Sequence, residues 1–115
     1  MTGPEFINDS EDLYRRIPPD WYVEKEDRVS SAAFNRDFNL SVDWSKYSTP
    51  EETVRRGTGK TQNCRCAAIQ AGVPRKFNQE VIHTPSKHNF SHSSIIGEKP
   101  LSIARKLARA CRFIL

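Results

Sequence analysis

Long hydrophobic runs are missing: no apolar stretch in the 115 residues extends beyond a few positions, far short of the roughly 20 that a membrane-spanning helix needs. The N-terminus, MTGPEFINDSEDLY, is acidic and carries no apolar segment of an export signal. Cysteine is scarce and odd in number, with Cys64, Cys66 and Cys111. Two of the three sit in a C-R-C spacing that builds neither a disulfide framework nor a zinc finger. These absences point to a reduced, cytoplasmic setting in which the cysteines serve as small buried hydrophobes.

Acidic residues are almost absent from one half of the chain. Residues 1–54 hold 6 Lys+Arg against 12 Asp+Glu, whereas residues 55–115 hold 12 against 2, giving net charges of −6 and +10. Either the halves fold together and neutralise each other, or the basic half faces an anionic partner.

Glycine is sparse as well, and that removes a tempting motif. In RRGTGKTQNC, Gly59-Lys60-Thr61 spells the end of a phosphate-binding loop, but the glycine required five positions earlier is Val54. Such a loop also runs from strand to helix. Here STPEETVRR reads as a helix before it and CRCAAIQAG as a strand after it, so residues 57–63 are expected to be a plain connection.

What is present outlines a modest α+β domain. A chain of this length buries roughly two thirds of its unfolded surface. GPEF resembles a cloning scar, so residues 1–6 are set apart and a single domain is expected over 7–115. LYRRI (13–17) reads as a strand stopped by Pro18-Pro19, which lack ladder donors. SSAAF (30–34) reads as a short strand, and LSVDW (40–44) alternates with Leu40, Val42 and Trp44 on one side. Ser48-Thr49-Pro50-Glu51-Glu52 is a strong helix start, placing a short helix at about 50–57. CRCAAIQA (64–71), QEVIH (79–83) and SHSSII (91–96) read as further strands. Pro100 then opens an amphipathic C-terminal helix with Ile103, Leu107, Ala110, Cys111 and Ile114 on one arc, opposite Arg105, Arg109 and Arg112 with Lys106 alongside. The expected fold is a mixed sheet of about five strands with this helix packed on one face.

His83, His88 and His92 lack a zinc-binding spacing, so no metal site is expected. His92, at a strand entrance beside the polar SKHN loop, is a candidate catalytic base. Three pieces in order, LYRRI, SSAAF and NQEVIHTP, resemble the ADP-ribosyltransferases of the Arg-Ser-Glu type. That resemblance implies an enzyme using NAD, with Arg15 or Arg16, Ser30 or Ser31, and Glu80 in the three signature places, and Asn78 where the family's first glutamate would stand. Joined with His92 from the residue reading, it gives an enzyme alternative with a site around Arg15 or Arg16, Glu80 and His92. The residues themselves favour a small binding module without a cofactor, engaging RNA or DNA through Arg105, Lys106, Arg109, Arg112, Arg75 and Lys76. Aromatics in the basic half are few, which favours backbone contact over base stacking. A protein partner with an acidic surface is the third reading.

Overall fold

The computed structural model describes residues 4–115. Its frame is a six-stranded sheet built from β1 (Asp12–Ile17), β4 (Asn39–Trp44), β5 (Arg65–Gln70), β6 (Glu80–His83), β7 (His92–Ile96) and β8 (Arg112–Phe113). A separate two-stranded hairpin joins β2 (Tyr22–Val23) to β3 (Arg28–Val29). The order across the large sheet is β6-β7-β4-β1-β5-β8, and every pairing is antiparallel. The sheet is therefore antiparallel throughout and wider than the mixed, roughly five-stranded arrangement expected. The extra strand comes from the C-terminus.

Alternation along the strands gives the sheet two unlike faces. Leu13, Ile17, Leu40, Val42, Trp44, Ala67, Ile69, Val81 and Ile95 form one apolar core with Ala104, Leu107 and Ala108 of α3 (Leu101–Ala110). Burying Leu107 alone contributes about 2 kcal/mol. The opposite face carries Tyr14, Arg16, Asp43, Cys66 and His92, and α1 (Pro50–Arg55) packs across β1 and β5. The expected start of α1 is present as a reciprocal cap. The Thr49 hydroxyl accepts from the Glu52 N–H at 3.1 Å, and the Glu52 carboxylate accepts from the Thr49 N–H at 2.9 Å.

Three expectations need correction. SSAAF is no strand: Ser31–Ala33 form a 3-10 turn whose start is held by the Ser30 hydroxyl accepting from the Ala32 N–H. Two adjacent alanines give little β preference, and serine competes for backbone donors. Gly72–Lys76 form a short helix, α2, where only a strand end was expected. Finally, α3 ends at Ala110 and Cys111 turns extended, so that Arg112 and Phe113 join β5 opposite Ala68 and Ala67. Phe113 then packs edge-on against Tyr22 at 5.2 Å and lies beneath the Arg65 guanidinium at 3.8 Å, a burial that another helical turn would forgo. In consequence Ala110 is exposed, not part of the apolar arc.

The Gly59–Thr61 segment is a 3-10 turn between α1 and β5, the reverse of the order a phosphate loop requires. Its other glycine has a packing reason, because a Cβ on Gly57 would lie 2.2 Å from the Thr61 carbonyl. Lys99 closes the far end of the sheet. It is 2% exposed, and its ammonium donates to the carbonyls of Ile95 at 2.7 Å and of Phe38 and Gly97 at 3.1 Å each. One side chain thus ties the entry to β4, the exit of β7 and the start of α3. Among the described residues no helix is long and apolar enough to cross a membrane.

Candidate anion-binding surface

Much of the charge asymmetry is resolved inside the fold. Asp43, 2% exposed, receives Arg56 at 2.9 Å, stands 3.6 Å from Arg16, and accepts from the Asn89 amide at 2.8 Å. Arg65 reaches Asp27 at 3.4 Å, Arg75 reaches Asp9 at 2.6 Å and Arg112 reaches Asp12 at 2.7 Å. Each of these three pairs joins the basic half to the acidic half, as does Arg56 with Asp43. Two residues expected on the binding face are therefore engaged elsewhere. Arg75 also donates to the Val81 carbonyl and stacks over Phe6, and Arg112 has left α3 for the sheet.

The remaining four converge. Arg105, Lys106 and Arg109 are exposed on α3, and Lys76 is exposed on the last turn of α2. None of the four forms an ion pair among the described residues. Lys76, Lys106 and Arg109 rim an open groove between the two helices, floored by Val73, Phe77 and Ala110. The Lys106 ammonium sits 5.1 Å above the Phe77 ring, so the exposed aromatic face is already occupied by a cation. On the other side of α3, Arg105 and Arg109 face Arg28, Ser30 and Ser31 across a hollow of about 410 Å³. Arg109 borders both depressions, and Glu26 also lines the second.

The residues proposed for an enzyme site do not share one. Arg15 projects from the same side of β1 as Leu13 and Ile17, toward the α3 face. β1 and β4 pair only at Leu13–Trp44 and Tyr14–Asp43. Beyond those pairs the Arg15 guanidinium occupies the ladder's place, donating to the carbonyls of Ser41 at 3.0 Å and Ala33 at 2.9 Å. It is largely enclosed, lies 5.3 Å over the Trp21 ring, and burial pulls its pKa below the usual arginine value. His92 lies opposite Asp43 on the other face. Its Nδ1 faces the Thr84 carbonyl at 2.9 Å and so donates to it, while Nε2 at 3.2 Å accepts from the Ser41 hydroxyl. Both ring nitrogens are thus hydrogen-bonded within the protein. Glu80 is exposed on the edge strand opposite Ile96, four residues along β7 from His92, or about 13 Å.

The histidines and cysteines do not assemble a metal site. Among the described residues no three His, Cys, Asp or Glu side chains cluster as a cation cage would require. His83 is buried, donating from Nε2 to the Phe90 carbonyl at 2.6 Å and accepting the Glu5 N–H at Nδ1. Burial pushes Cys66 and Cys111 up to about 12 and also raises Cys64, so the thiols stay protonated and poorly nucleophilic.

The sequence alone did not identify the Asp43 network, the Lys99 carbonyl cage or the place of Arg28 beside α3. Arg28 carried a faint signal as one of two cations, with Lys25, in the EKEDRV segment. Lys99 carried none. No protein-family model matches the chain, and neither a curated protein nor a solved structure matches it.

Proposed function

We propose that this domain is a small binding module that engages an anionic partner, the phosphate backbone of a nucleic acid, through α3 and the end of α2. The carrying observation is convergence: among the described residues Arg105, Lys106, Arg109 and Lys76 are exposed, form no ion pair and line the two depressions beside α3. Adjacent like charges repel, and phosphate contacts relieve that repulsion while releasing condensed counterions.

The test is salt-dependent binding to generic duplex DNA and RNA. Four phosphate contacts give a log–log slope of about −3 to −4 on duplex DNA. Reversing Arg105 and Arg109 to glutamate flattens that slope and leaves the melt nearly intact, since both side chains point away from the core. Arg75→Ala and Arg112→Ala change the slope little, because their charges are already held by aspartates. Absence of binding at low salt rejects the reading.

A further inference from the structure

The hollow between the 28–31 segment and α3 differs in kind from the open groove on the other side of the helix. Arg105 and Arg109 stand one helical turn apart, with neighbouring Cβ atoms about 5–6 Å apart, so both guanidinium groups reach one space. Arg28 meets them from the hairpin. Its own pairing is partial, through Glu26 Oε2 at 3.1 Å. The Ser30 hydroxyl accepts from the Ala32 N–H at 3.2 Å, which leaves its own O–H free to donate, and Ser31 lines the same wall.

Charge and size together select the ligand. Three guanidinium groups against the single Glu26 carboxylate give the hollow a net charge of +2. A phosphomonoester carries about −1.5 to −2 at neutral pH, whereas a backbone phosphodiester carries a single negative charge. The volume of about 410 Å³ falls in the range of small-molecule pockets and exceeds what a bare phosphate fills. Val23 and Ala108 supply an apolar wall, and the Glu26 carboxylate also lines the hollow. We infer that this hollow binds a terminal phosphomonoester borne by a nucleoside, either a free nucleotide or the phosphorylated end of a nucleic acid. The inference rests on reading the α3 face as an anion-binding surface and adds a discrete site to it. Planar guanidinium forks bind the phosphate oxygens bidentately, the serine hydroxyls complete the set, and the sugar lies toward Val23.

The experiment compares adenosine monophosphate, adenosine and inorganic phosphate by calorimetry, and a short single-stranded oligonucleotide with and without a terminal phosphate, at the 5′ or the 3′ end, by anisotropy. The terminal phosphate should tighten oligonucleotide binding about tenfold, the gain expected from charge-assisted hydrogen bonds. Adenosine monophosphate should bind more tightly than inorganic phosphate, and adenosine not detectably. Ser31→Ala, checked for an unchanged melt, should bring the ratio of phosphorylated to unphosphorylated affinity toward one while leaving the unphosphorylated affinity in place, and Arg28→Gln should likewise bring that ratio toward one. Equal affinity for both ends, with no nucleotide binding, overturns the site yet leaves backbone binding standing. Nucleotide binding without any oligonucleotide binding upholds the site and removes the nucleic-acid reading. If inorganic phosphate binds as well as the nucleotide, the nucleoside part of the inference falls.

Discussion

Replacing Lys99 with methionine tests the packing of the domain through pH. At neutral pH the change removes three buried N–H donors and leaves the carbonyls of Phe38, Ile95 and Gly97 without them. Some of that loss is returned, because the folded wild type bears the cost of a buried charge. Burial lowers the Lys99 pKa from 10.5 to about 8, partly opposed by Asp37. Between those two values the unfolded chain holds a proton that the folded chain has released, so wild-type stability contributed by this group rises with pH. The shift corresponds to about 3 kcal/mol across the window. Other groups act in the opposite direction: Cys66 and Cys111 have raised pKa values, and their contribution falls above 9.0, the ordinary thiol value. Those terms are common to both proteins and cancel in the difference. Urea unfolding of wild type and Lys99→Met, followed by tryptophan fluorescence from neutral pH to 10.5, should show the variant's deficit widening by about 3 kcal/mol. A deficit constant across the window means that the Lys99 proton is held equally in both states, and it would refute the buried-ammonium account.

Leu107→Ala, at a fully buried position, should cost about 2–5 kcal/mol by chemical denaturation, and truncation after Lys99 should leave a molten or insoluble chain; a sharp cooperative melt after truncation would show that α3 is an appendage. Asp43→Ala should cost about 2–3 kcal/mol, below the full loss of a buried ion pair because Arg16 and Arg56 keep 27% and 30% of their side-chain surface in water. Lys60→Ala should leave the melting temperature unchanged, and neither ATP nor GTP should raise it in wild type.

The legible parts of the fold were those where one local rule acted alone. LSVDW alternates, and Leu40, Val42 and Trp44 enter the core. Ser48 to Glu52 place a cap, a proline and two carboxylates in the order a helix start demands, and α1 begins at Pro50. Where tertiary contacts compete with local preference, the reading failed. The pattern of residues 111–114 continues a helix, but a chain end beside an unpaired strand gains hydrogen bonds and a partly buried Phe113 by becoming β8. The basic surface was half legible for a related reason. A helical wheel places Arg105 and Arg109 together, whereas the fates of Arg75 and Arg112 depend on Asp9 and Asp12, more than 60 residues away in sequence. Arg15 and His92 drew notice as chemical groups, but strand pairing puts them on opposite faces.

The placement of β1 governs how the chain can be made. It lies inside the sheet, and its full-length partner β5 follows about fifty residues later in the chain. Pairing across that separation closes a long loop before it yields any contact, a step that slows folding. Until then the emerging half carries a net charge of −6, and its aspartates at positions 9, 12, 27 and 43 have none of the arginines that later neutralise them across the halves. Mutual repulsion among these carboxylates disfavours collapse of the acidic half on itself. The basic half supplies the missing strand and the missing counter-charges together, so completing the sheet and pairing these aspartates depend on the same stretch of chain.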